Sequence, residues 1–103
     1  MKIEYLEPAK LDLQRVHEYL LVQGLSNKAA DIFVASIVND IRRLSSHPNL
    51  GFSLGEMLNF STEYRALLVS KERYLVVYEI ASSCIDIRRI YSTKENYIKD
   101  LLP

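Results

Sequence analysis

The chain has no net charge: thirteen Lys and Arg balance thirteen Asp and Glu over 103 residues. Nucleic-acid binding is driven largely by phosphate neutralisation, so this balance argues against a strong, general nucleic-acid binder and leaves room for a small local basic site. There is one cysteine, Cys84, and so no internal disulfide. A reducing compartment fits, and Cys84, in a strand-like run, reads as a small buried hydrophobe. No apolar run approaches the ~20 residues that span a bilayer. The opening "MKIEYLEPAK" carries acids and lacks a signal-peptide core, which makes the cytoplasm the expected location and no membrane contact the expectation. The sequence contains no repeat, low-complexity tract or linker, no phosphate loop and no cysteine-nucleophile arrangement. His17 and His47 are the only histidines, and neither has a partner at ligand spacing. Neither a metal nor a cofactor is expected.

What is present fills one domain, residues 1–103. "KIEYLE" alternates as a first strand. Pro8 suits the first turn of a helix, and "AKLDLQRVHEYLLV" follows with Ala9, Leu13, Val16 and Leu20 on one stripe, widened by Leu11 and Tyr19. Gly24 ends it. Ser26 is a good N-cap for a second helix over Asn27 to Ser46, with the stripe Ala30, Phe33, Ile37, Ile41 and Leu44. Its last turns hold Arg42 and Arg43, and His47 before Pro48 stops it. "FSLGEMLNFST" reads as a loop or irregular edge segment. "EYRALLVS", "RYLVVYEI" and "CIDIRRIY" are strands of a meander, with turns at Lys71–Glu72 and at "ASS". The middle strand is apolar on both faces and so predicts a central position. Ser92 and Glu95 have capping-box spacing, predicting a final helix through Leu102, docked by Tyr97, Leu101 and Ile98. The order is β-α-α-β-β-β-α. The expected class is α+β, a helical hairpin on one face of a small antiparallel sheet of about four strands. The first strand is expected at an edge or beside the last one.

Four pieces, in this order, resemble one family. Ala9, Asp12, Leu13, Val16 and Tyr19 match an Ala-x-x-Asp-Leu-x-x-Ile-x-x-Tyr helix. Pro48 and Gly51 match a Pro-x-x-Gly turn. "EYRALLVSKERYLVVYEI" is similar to a Tyr-Arg strand followed by a Val-x-Tyr strand. "RIYSTKENY" is similar to a closing Arg-Val-Leu-His-Gly-Arg-Arg-Asp-Tyr run. The chain resembles the RelE/ParE superfamily of toxins from type II toxin–antitoxin modules, over nearly its whole length. The resemblance implies a cognate antitoxin partner, growth inhibition and a link to plasmid stabilisation. RelE-like members cleave mRNA, usually on the ribosome, whereas ParE-like members inhibit DNA gyrase and are not nucleases.

The residues weigh those options. RNA cleavage needs a base for the 2′-OH, a cation for the phosphorane and an acid for the leaving oxygen. The resemblance puts the cation three residues before Tyr78, where this chain has Leu75; Arg73 shares that face if the strand is regular. It puts a His where this chain has Ser92, which moves no proton near neutral pH. The candidates for a nuclease site are Glu56, in a loop like that of a general-base Glu, with Arg65, Arg73, Arg89, Tyr91 and Tyr97. Plainer readings stand beside these: Glu56 as a solvated carboxylate, Arg73 as a solvated charge near the hairpin turn, Tyr91 and Tyr97 as packing residues, Arg65 as the partner of an antitoxin acid. Arg88 and Arg89 are adjacent and should face opposite ways, leaving at least one as a surface charge. The incomplete set favours a ParE-like gyrase inhibitor. An mRNA endoribonuclease that needs no metal and an inert interaction module stay as alternatives.

Overall fold

The computed structural model describes residues 1–95 and 97–101. The described chain runs β1 (Lys2–Tyr5), α1 (Glu7–Val22), α2 (Asn27–Arg42), a 3₁₀ turn (Arg43–Ser45), β2 (Phe52–Ser53), α3 (Leu54–Leu58), β3 (Arg65–Val69), β4 (Tyr74–Ile80), β5 (Cys84–Ser92) and α4 (Tyr97–Leu101). The α+β class and the helical hairpin hold.

Helix α1 begins after an extended Leu6, and Pro8 sits in its first turn. Its buried row is Ala9, Asp12, Val16 and Leu20. Leu13 packs at the rim of the core. Leu11 and Tyr19, expected to widen the stripe, are instead 46% and 58% exposed, because the sheet meets α1 along a narrower line. Gly24 follows with φ 99°, a conformation glycine adopts without strain. Ser26 Oγ accepts from the Ala29 N–H at 3.1 Å and so caps α2 as expected. Ala30, Ile37 and Ile41 are buried along it. The helix closes sooner than Ser46: it tightens after Arg42 into the 3₁₀ turn, which still buries Leu44.

The sheet has five strands in the order β1-β5-β4-β3-β2. The meander is antiparallel, but β1 lies parallel to β5, with Ile3 opposite Ile85 and Tyr5 opposite Ile87. The expected all-antiparallel sheet of about four strands is corrected on both counts. A parallel pair needs a long connection, which the helices and the meander together supply. The edge segment is more regular than expected: two residues pair as β2, and Ser53 Oγ then caps α3 by accepting from the Glu56 N–H at 3.3 Å.

β4 is central and covered on both faces. Val76 and Tyr78 point toward the helical hairpin with Ile85, Ile87 and Ile90. Leu75 and Val77 point the other way and join Leu54, Ala66 and Tyr91 in a second core, against which Tyr97 and Leu101 pack. Helices therefore cover both faces: the hairpin one, α3 and α4 the other.

The final helix starts later than its cap spacing suggests. Glu95 Oε1 accepts from the Ser92 N–H at 2.7 Å, which is one half of a capping box. Ser92 Oγ accepts from Lys94, two residues on, rather than from the third N–H. Ser92 therefore closes β5 with a turn, and α4 begins at Tyr97. Leu102, the expected end, lies outside the described residues.

Candidate functional site

β5 is longer than its neighbour β1, so its second half has no strand on its outer side. Asp12 fills that gap. Its carboxylate is buried, 4% exposed, and accepts from the Ile90 backbone N–H at 2.8 Å. It also accepts two bonds from Arg89, Nε at 2.8 Å and Nη2 at 3.1 Å, and one from Arg15 Nη1 at 3.1 Å. A forked, fully partnered carboxylate of this kind ties α1 to β5. The Asp12 bonds raise the pKa of Arg89, against a smaller effect of burial, so it is always charged.

A bulge shapes the rest of the site. Val77 pairs with Arg89 and Tyr78 with Ile87, which leaves Arg88 as the extra residue. A bulge breaks strict alternation. The expectation that Arg88 and Arg89 face opposite ways is thereby overturned: both line one cavity, of about 450 Å³, with Tyr64 and Tyr91. Arg88 lies over the Tyr64 ring at 4.9 Å and Arg89 over the Tyr91 ring at 4.8 Å. Arg88 Nη1 also pairs with Glu79 Oε1 at 3.2 Å. Tyr97 of α4 stacks on Tyr91, centroids 6.0 Å apart.

The other candidates do not join them. Arg65 stands opposite Tyr78 in the sheet and so shares its face, toward the helical hairpin. Arg65 Nη2 donates to the Gly51 carbonyl at 2.6 Å and the Asn49 carbonyl at 3.3 Å. Tyr78 Oη donates to the Pro48 carbonyl at 2.7 Å and accepts from the Gly51 N–H at 3.1 Å. Together they clamp the turn after α2. Only glycine fits there, since a Cβ on Gly51 would stand 2.2 Å from the Ala66 carbonyl oxygen. Arg65 Nε is buried with no partner among the described residues. Arg89 pairs with Val77, whose side chain points to the opposite face, so Arg65 and Arg89 lie on opposite sides of the sheet.

Glu56 is exposed in the first turn of α3. Arg73 sits in the turn before β4, not on the strand, and is exposed beside Phe33 and Tyr74 in a groove along α1. It does not reach the Leu75 face, because the regular strand on which that depended starts one residue later. Tyr91 is buried and its phenol pKa is raised by desolvation, with Arg89 opposing, so it holds its proton more tightly than a free tyrosine. Desolvation likewise raises the Cys84 thiol, helped by its hydrogen bond to Asp86 and the nearby carboxylates. His17 Nε2 lies 2.7 Å from Asp31 Oδ1 and ties α1 to α2.

Sequence reasoning singled out Arg89, Tyr91 and Tyr97, which do meet. It treated Asp12 only as part of a helix pattern. The signal was present: an acid standing on the apolar row, three residues after Ala9 and four before Val16. The bulge at Arg88 has no such local signal.

No curated protein matches the chain in sequence. One solved structure, described as the chromosomal ParDE TA system from P. aeruginosa, is similar in fold: TM-score 0.76, 19% identity, covering 91% of this chain and 97% of that one. The family profile described as the ParE toxin of the type II toxin–antitoxin system, parDE, matches residues 3–97. On that match over nearly its full length, the chain belongs to the ParE toxin family of type II toxin–antitoxin systems.

Proposed function

We propose that the chain arrests growth by inhibiting a protein target, DNA gyrase, without cutting RNA, and that a cognate antitoxin neutralises it. One observation carries the mechanistic part: the charged groups a nuclease would need do not converge. Arg65 and Arg89 lie on opposite faces of the sheet, one bound to loop carbonyls and the other to Asp12. Leu75 is 1% exposed, inside the second core, where the resemblance calls for a cation. Ser92 is engaged in a backbone turn. Loss of a charge stabiliser or a proton-transfer group lowers rates by about 10²–10³-fold each.

Expression of the chain without antitoxin tests this, with mRNA cleavage mapping and a gyrase supercoiling assay run in parallel. Blocked supercoiling with intact mRNA is expected. Site-specific mRNA cuts that vanish on changing Glu56 or Arg65 would overturn the reading in favour of a ribosome-dependent nuclease. Intact mRNA with normal supercoiling would leave the inert interaction module. The antitoxin is a separate matter. The helical hairpin exposes Tyr19, Val22 and Ile32, a surface suited to a segment that folds as it binds. Co-purification with the product of a small neighbouring gene is the expected result.

A further inference from the structure

The internal contacts of the cavity between β5, α1 and α4 leave several of its donors without a partner among the described residues. Two guanidiniums are held there by ring stacking and by single carboxylate partners. Arg88 Nε and Nη2 and Arg89 Nη1 have no hydrogen-bond partner among the described residues. The N-terminus of α1 reaches the same wall through Leu6 and Pro8 and has no side-chain cap. Val77 and Leu101 add apolar lining. The volume, about 450 Å³, exceeds one carboxylate and suits an acidic side chain with an aliphatic neighbour. Charge decides against a polyanion. Arg88 and Arg89 are each already paired with a carboxylate, Glu79 and Asp12, and Asp100 lines the cavity too, so no net positive field draws a phosphate chain. What remains is short-range, forked hydrogen bonding to a single anionic group.

We propose that this cavity receives an acidic–apolar element of the toxin's protein target, one Asp or Glu carboxylate lying between Arg88 and Arg89 and its aliphatic neighbour against Leu6, Pro8 and Val77. This rests on the protein-target reading above.

Two arms test it. In the first, sodium acetate is titrated into the full chain while the arginine Nε–H and tyrosine ring resonances are followed by NMR at constant ionic strength. Saturable shifts at Arg88, Arg89, Tyr64 and Tyr91 are expected. They should disappear in Arg88→Gln, a partly buried position that makes none of the Asp12 contacts. An unchanged melting temperature in that variant shows that it folds. Shifts equal to those from sodium chloride, or inorganic phosphate binding ten-fold tighter than acetate, would overturn the carboxylate assignment. In the second arm, Arg88→Gln should weaken gyrase inhibition at least ten-fold, with Arg88→Lys intermediate because it keeps charge without the fork. A wild-type chain that inhibits gyrase and an Arg88→Gln chain that does so equally would sink the cavity but not the target. A wild-type chain that leaves gyrase untouched would sink the target reading and the target's place in this cavity with it, and saturable acetate shifts would then show only that the cavity holds a carboxylate.

Discussion

At the scale of single residues, Asp12 governs the site. A buried carboxylate is costly unless fully partnered, and Asp12 has four donors from three residues. Asp12→Asn keeps the shape but removes the charge and turns one acceptor into a donor, facing N–H groups. Breaking a buried pair typically costs about 3–5 kcal/mol. Arg15 and Arg89 are partly solvated and can recover some hydration, so the low end, about 3 kcal/mol, is expected from urea denaturation. A loss under about 1 kcal/mol would mean that Ile90 and the arginines find water instead. Tyrosines supply a second test at this scale. Desolvation raises the phenols of Tyr5, Tyr74 and Tyr91 above their usual 10.0. A group that binds its proton more tightly when folded contributes stability that is complete below its unfolded pKa. That contribution is lost as pH rises through the higher folded value. Stability should therefore fall above about pH 10, in step with phenolate absorbance, and Tyr91→Phe should reduce the slope.

Among the elements, the β3–β4 turn carries the strain. Ser70, Lys71 and Glu72 have φ of 53°, 56° and 65°, and none is glycine. The turn is held from outside: Asp40 Oδ2 accepts from the Ser70 N–H at 2.9 Å, and Thr93 Oγ1 donates to the carbonyls of Glu72 and Arg73. Left-handed backbone costs roughly 1–2 kcal/mol per residue, and glycine's extra unfolded entropy about 0.5–1 kcal/mol. The first is larger, so Lys71→Gly should stabilise the protein by about 0.5–1 kcal/mol in urea denaturation. A destabilised variant would mean that the anchored turn has already relaxed the strain. Elements also separate what the sequence disclosed from what it hid. The helical stripe through Ile37 and Ile41 and the double-faced apolar run of β4 are periodic, and periodicity is local, so both were legible. The parallel β1–β5 pair depends on chain closure across some eighty residues, from Lys2 to Cys84. The bulge at Arg88 depends on a register shift set by two strands together. The site was legible only in part for that reason: Arg89, Tyr91 and Tyr97 have the right chemistry in sequence, but only the bulge brings Arg88 beside them.

For the whole molecule, β4 divides two cores of unequal size. The larger joins the helical hairpin to the sheet through residues such as Ile37, Ile41, Tyr78 and Ile87. The smaller lies under α3, α4 and the arginine cavity. The two should respond differently to injury. Ile37 is fully buried at the middle of α2, in the larger core. Ile37→Asp would place a carboxylate in a core whose fully buried side chains are apolar apart from Tyr78, and the Tyr78 hydroxyl already donates to the Pro48 carbonyl. Such a charge costs several kcal/mol even after relaxation, comparable with the total stability of a domain this size. Circular dichroism should show an unfolded chain at 25 °C, whereas Ile37→Val should lose only about 0.5–1.5 kcal/mol and stay folded. Leu75→Ala, in the smaller core, removes buried area at a site fastened on the other face by Val76 and Tyr78, and should cost about 2–5 kcal/mol without abolishing the hairpin. An Ile37→Asp chain that melts like the wild type would show that the seam between helices and sheet does not carry the fold, and that the smaller core does.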